Sequence, residues 1–151
     1  MFELLFPFFL LVLIILTLII IWRIKARKYI SSSTVASAYD AWTQDKLLER
    51  LWGEHIHLGF YPSGYENIDF KKAKVQFVHE LVKWSGLDKL PKGSRVLDVG
   101  CGIGGSSRIL AKYYGFNVTG ITISPAQVKR ARELTSHELN CHFQVMDALD
   151  L

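Results

Sequence analysis

Thiols are scarce in this chain. The only two cysteines are Cys101 and Cys141, and no Cys/His spacing suggests a metal site. That leaves neither a disulfide framework nor a zinc centre to build on, and it suits a reducing compartment. Charge of one sign is equally scarce: 18 basic residues stand against 14 acidic ones. Four of the basic residues, Arg23, Lys25, Arg27 and Lys28, form one cluster, and without them the signs balance. No basic stripe remains for a nucleic acid, so none is expected as a partner. Internal repeats are absent, and compositional bias is confined to the start of the chain.

What residues 4–22 lack is charge altogether; only Pro7 and Thr17 interrupt a run of Leu, Ile, Phe and Val that ends at Trp22. A helix of that length spans about 28 Å, close to the ~30 Å hydrocarbon core of a bilayer. The pattern predicts a single transmembrane helix over 4–22, with the basic cluster after it on the cytoplasmic side. The C-terminal domain is then cytoplasmic. A cleaved signal peptide is the rival, since Ala36-Ser37-Ala38 has the small-x-small form of a cleavage site. No basic residue precedes the apolar run, however, and the run is long for a signal.

Three regions follow: an anchor with its basic flank over 1–30, a helical extension over 31–90, and a partial Rossmann-like domain over 91–151. In the extension, Ser31 to Thr34 supply N-cap candidates. Val35, Tyr39 and Trp42 recur at helical spacing. Trp52 to Tyr65 is rich in aromatics, glycine and histidine. Asp69 caps a further helix, on which Ala73, Phe77, Leu81 and Trp84 fall on one face, and Gly86 ends it. From Ser94 the pattern becomes β-α-β-α-β. Strands are expected at Arg95 to Val99, Asn117 to Ile121 and Cys141 to Val145. The helix after Ile123 opens with Ser124 as N-cap, Pro125 at the first position and Gln127 placed for a capping box. This alternation predicts an α/β fold with a parallel sheet.

The central motif is Val96-Leu97-Asp98-Val99-Gly100-Cys101-Gly102-Ile103-Gly104-Gly105. Glycines at a strand-to-helix turn let a ligand lie against the backbone, and the helix N-terminus offers free N–H groups. Gly100, Gly102 and Gly105 also satisfy the dinucleotide pattern G-x-G-x-x-G. Two absences oppose a dinucleotide. The acid expected about 20 residues later is missing, with Thr122 in its place, and Asp98 would repel a pyrophosphate. An anionic Asp98 better suits a cofactor carrying an ammonium and a sulfonium.

Asp98-x-Gly100-x-Gly102 resembles motif I of the class I S-adenosylmethionine-dependent methyltransferases. The blocks Trp52 to Tyr61, Leu97 to Arg108 and Gly120 to Gln127 together resemble the tocopherol methyltransferase family, and the likeness runs the length of the chain. The resemblance implies methyl transfer from S-adenosyl-L-methionine to a ring carbon of a prenylated quinol. It implies that Asp98, Val99, Gly100, Cys101, Gly102 and Gly104 hold the methionine and ribose parts. Thr122, Ile123 and Gln127 would border the ribose and adenine, and Asp147 would meet the adenine amino group with Ala148 beside it.

Such a reaction gains from a base that ionises a phenol, and histidine is the natural candidate. His55 and His57 alternate on a segment read as extended, so both can face one pocket; either can instead be a structural histidine. Trp52, Phe60 and Tyr61 are candidates for a ring pocket, or for plain core.

The family's sheet has seven strands and this chain offers three, so it is read as a truncated product that binds the cofactor weakly and does not turn over. A non-catalytic membrane-tethered cofactor-binding fragment and an NAD-type oxidoreductase fragment stay open as alternatives.

Overall fold

Three short runs, of which only the second is rich in β-branched residues, form the sheet. They are β1 (Arg95–Val99), β2 (Asn117–Thr122) and β3 (Cys141–Val145), ordered β1-β2-β3 with both pairings parallel. The register sets Asp98 opposite Gly120, and Gly120 opposite Phe143. The computed structural model describes residues 2–23, 30–64 and 67–151. They fall into two units, Met1–Ile30 and Ser31–Leu151.

The first unit holds helix α1 (Phe2–Arg23), in which the Thr17 hydroxyl donates to the Leu13 carbonyl at 2.7 Å. The expected transmembrane anchor over 4–22 is corrected here. Among the described residues no helix is long and apolar enough to cross a membrane. The single-pass placement with a cytoplasmic C-terminal domain rested on that anchor and is corrected with it. Lys25, Arg27 and Lys28 of the basic cluster lie outside the described residues.

In the second unit, α2 (Ser32–Gln44), α3 (Leu47–Trp52) and α4 (Phe70–Ser85) precede the sheet. Helix α5 (Gly105–Tyr114) joins β1 to β2, and α6 (Pro125–Leu134) joins β2 to β3. Capping follows the sequence. The Asp69 carboxylate accepts from the Lys71 and Lys72 N–H groups, and Gly86 ends α4 in a left-handed conformation at φ 74°. The Ser124 hydroxyl accepts from Gln127 N. Gln127 departs from its expected capping-box role, because its side-chain carbonyl instead accepts from the Thr122 hydroxyl at 2.7 Å.

Two apolar clusters result. Val82 of α4, Leu110 and Ala111 of α5, Phe116 and Val118 make one, and Cys101, Val128, Ala131 and Phe143 make the other. The buried stripe of α4 is Ala73, Lys74, Val78 and Val82, not the face of Ala73, Phe77, Leu81 and Trp84 that its spacing suggested. Trp84 is 85% exposed. The stripe is turned by Lys74, whose ammonium reaches inward to the Trp52 and His55 carbonyls at 3.0 and 2.9 Å.

Phe116 is 1% exposed and stacks on Tyr114 at a centroid distance of 5.9 Å. Truncating a fully buried aromatic removes its transfer free energy and leaves a cavity. Phe116→Ala is therefore expected to lower unfolding free energy by about 3–5 kcal/mol. Urea titration followed by circular dichroism measures it, as a lower midpoint at unchanged slope.

Candidate active site

The turn after β1 is built by backbone conformation. Gly100 and Gly102 sit at φ 76° and 55°, a region costly for any residue with a Cβ. A Cβ at either would meet nothing within 4 Å, so both glycines front open space. That space is a cleft of about 200 Å³, open to solvent, between the turn and the helical extension. From the extension it is lined by Tyr39, Trp42, Leu48 and the 53–57 segment.

The cleft gathers His55, His57, Asp98, Gly100, Cys101, Gly102 and Gln127 from among the sequence-derived candidates. The others stand outside its lining. Val99 is exposed, Gly104 caps α5, and Thr122 is buried against Gln127 with Ile123 next to it. Asp147 caps a short 3-10 turn that begins at Ala148, its carboxylate accepting from Leu149 N.

Close approach at Gly105 brings the histidines in. A Cβ on Gly105 would lie 2.8 Å from His55 Cε1 and 3.0 Å from the Glu54 carbonyl oxygen. The segment carrying the histidines, read from its alternation as extended, joins no strand or helix. It is pinned by Lys74 through two carbonyls, and by the Arg108 guanidinium, which donates to Glu54 at 2.6 Å. Arg108 also donates to the Ile103 carbonyl at 2.8 Å, so one side chain ties the histidine segment to the glycine turn.

Sequence reasoning missed these ties and two more. Asp40 of α2 accepts from the Ser124 hydroxyl at 2.5 Å and from Ala126 N at 3.0 Å. Glu49 of α3 takes a two-pronged contact from Arg130 at 2.9 and 2.6 Å. The partners lie more than 80 positions apart, and no local spacing announces such pairs.

Three carboxylates line the cleft: Glu49, Glu54 and Asp98. Arg130 answers the first and Arg108 the second. Among the described residues, no cation pairs with Asp98; its carboxylate accepts from the Ser107 hydroxyl at 2.6 Å. Beside it, burial and then the Asp98 charge push the Cys101 thiol up to about 12, so it stays neutral. The hydrogen bond from Arg130 holds the Glu49 carboxyl below its ordinary range.

His55 is pushed from its ordinary 6.5 down to about 4, chiefly by burial and then by the charge of His57. The unfolded ring takes a proton below 6.5, whereas the folded ring refuses one until about 4. The unfolded state thus binds more protons in that window, and stability falls as pH drops through it. Glu49 adds to the loss at lower pH still, once its ion pair is protonated away. A urea midpoint that declines from pH 6.5 to pH 4, and declines less in His55→Gln, is the expected result. Equal declines would show that His55 does not carry the effect.

Comparison with known proteins bears on this geometry. Residues 96–151 match the family described as "Methyltransferase domain". The chain is 60% identical over 131 residues to 2-methyl-6-phytyl-1,4-hydroquinone methyltransferase of Synechocystis sp., covering 87% of this chain and 41% of that protein. It is 43% identical over 114 residues to the chloroplastic tocopherol O-methyltransferase of Arabidopsis thaliana, covering 69% of this chain and 33% of that one. The chain thus spans less than half the length of these curated relatives. In fold it is similar to magnesium protoporphyrin IX methyltransferase from Synechocystis PCC 6803, solved with bound SAM. There the TM-score is 0.59 at 24% identity, over 83% of this chain and 59% of that one. Over the part of the fold that it spans, the chain belongs to the tocopherol methyltransferase family of S-adenosylmethionine-dependent methyltransferases.

Proposed function

We propose that this chain forms the cofactor-binding side of an enzyme that methylates a ring carbon of a lipophilic, prenylated hydroquinone. The observation that carries the reading is the unanswered carboxylate: two of the three acids facing the cleft are paired to arginines, and Asp98 is not. A cationic ligand supplies the missing charge. The residues present fit S-adenosyl-L-methionine. Gly100 and Gly102 leave room that side chains would fill, and Asp98 faces the same space. The Gln127 carbonyl is taken by Thr122, which leaves its amide N–H groups as donors at the cleft wall.

When bound, the cofactor supplies an electrophilic methyl group on a sulfonium. The chain's own work is then orientation, water exclusion and proton handling. Tyr39, Trp42, Leu48 and Ile56 offer an apolar wall against which a hydroquinone ring can lie. The histidine segment offers the base that ionises its hydroxyl. Ionisation makes the ring carbons electron-rich. The activity for which the Synechocystis relative is named, methylation of 2-methyl-6-phytyl-1,4-hydroquinone, supports this acceptor class.

Calorimetric titration with S-adenosylmethionine tests the cofactor reading. Asp98→Asn is expected to weaken binding about 10- to 100-fold, the range of a charge-assisted contact. The neutral analogue 5′-methylthioadenosine should lose far less. Equal losses for both ligands, or saturable binding of NAD instead, would overturn the assignment. Saturable binding of a phytylated hydroquinone by the cofactor-loaded chain, and not of a nucleic acid, is the expected result for the acceptor.

A further inference from the structure

The two histidines are a hydrogen-bonded pair, not two separate candidates. His57 Nε2 and His55 Nδ1 lie 3.1 Å apart, and His57 Nδ1 lies 2.8 Å from the Leu58 carbonyl oxygen. A carbonyl only accepts, so His57 Nδ1 carries a hydrogen. A neutral His57 then has its lone pair on Nε2 and accepts from His55 Nδ1–H. That leaves the lone pair of His55 on Nε2. No described side chain or backbone group occupies this last nitrogen. Every buried side-chain nitrogen and oxygen among the described residues has a partner, so His55 Nε2 is open to the cleft that His55 lines.

Resting on the methyl-transfer reading above, we propose that His55 is the base and His57 its proton relay. The Leu58 carbonyl fixes the tautomers of both, so that His55 Nε2 faces a phenolic acceptor as a lone pair. The balance is as follows. The acceptor O–H bond breaks, its electron pair stays on oxygen, and the proton bonds to His55 Nε2. The proton on His55 Nδ1 passes to His57 Nε2. His55 ends neutral with its hydrogen on Nε2, and His57 ends as the imidazolium.

The direction of this transfer follows from burial. His55 is 9% exposed and His57 is half-buried, so charge costs less on His57. The surroundings of His55 agree. Arg108 from α5 and Lys74 from α4 both disfavour a cation on that ring, and Glu54 alone favours one. Packing fixes the geometry. The His57 ring lies 5.2 Å from Phe77 of α4, and the Lys74 ammonium holds the His55 carbonyl at 2.9 Å. His55 is thus the catalytic residue, and His57 a positioning and relay residue.

Nitrogen-15 NMR of histidine-labelled protein reads the tautomers with no acceptor present. In the natural chain at neutral pH, His55 is expected to show a protonated Nδ1 and an unprotonated Nε2, and His57 a protonated Nδ1. His57→Phe keeps a ring against Phe77 but removes the acceptor. It should reduce the Nδ1–H population of His55 about fivefold, the weight of one ordinary hydrogen bond. Dominance of the Nε2–H form of His55 in the natural chain, or an unchanged ratio in His57→Phe, would overturn the relay. Neither outcome depends on methyl transfer. Cofactor titration decides that reading separately: unimpaired S-adenosylmethionine binding beside a failed tautomer test removes the relay and leaves the methyltransferase reading standing.

Discussion

The site depends on one close approach: the histidine segment lies directly on the start of α5, where Gly105 has no side chain. His55 Cε1 and the Glu54 carbonyl occupy the position a Cβ would need. Interiors are packed too densely for such a contact to be relaxed by small shifts. A methyl group there would lift the segment, and with it the wall of the cleft facing the glycine turn. The turn and the segment are each irregular backbone, and each is ordered by what the other leaves empty.

Ties across the cleft convert that contact into a fixed geometry. Arg108 joins the segment to the turn through Glu54 and the Ile103 carbonyl, and Glu49 and Asp40 fasten α3 and α2 to α6. Exposed ion pairs contribute little to stability. The Glu49–Arg130 contact is two-pronged between side chains about one-fifth exposed, and such forks add direction as well as energy. Asp40 serves a second purpose. Its carboxylate stands where free N–H groups and the helix dipole favour negative charge, so docking α2 also completes the cap of α6.

The sheet was legible because its signals are local. Arg95 to Val99, Asn117 to Ile121 and Cys141 to Val145 are short runs set between helical patterns, and Ser124-Pro125 marks a helix start without outside help. Gathering of Asp98, Gly100 and Gly102 at one cleft followed from a turn between adjacent elements. What escaped was non-local. Asp40, Glu49 and Arg108 carry no pattern, because each finds its partner across the fold. The α4 stripe was misjudged for a related reason. Periodicity ranks Trp84 as core and Lys74 as surface, whereas the two carbonyls awaiting an ammonium reverse that order. The anchor read over residues 4 to 22 is set aside because no described helix is long and apolar enough to cross a membrane.

Burial sorts the ionisable groups of the cleft by a single rule. Groups set deepest are kept neutral, as Cys101 and His55 are, because a low-dielectric surrounding penalises their charged forms. Groups that keep a charge there are paired, as Glu49 and Glu54 are. Asp98 is the exception, and on the proposed reading its uncompensated carboxylate beside a bare turn is what would draw a cation in. On the proposed reading the same field would set the order of events on the acceptor side. A cation held by Asp98 and a proton held by the histidine pair share one cleft and repel each other. An early proton on the pair therefore weakens cation binding, and a neutral pair favours it. On the proposed relay the pair takes its proton from an acceptor already in place, and the burial of His55 keeps its own ring neutral until then.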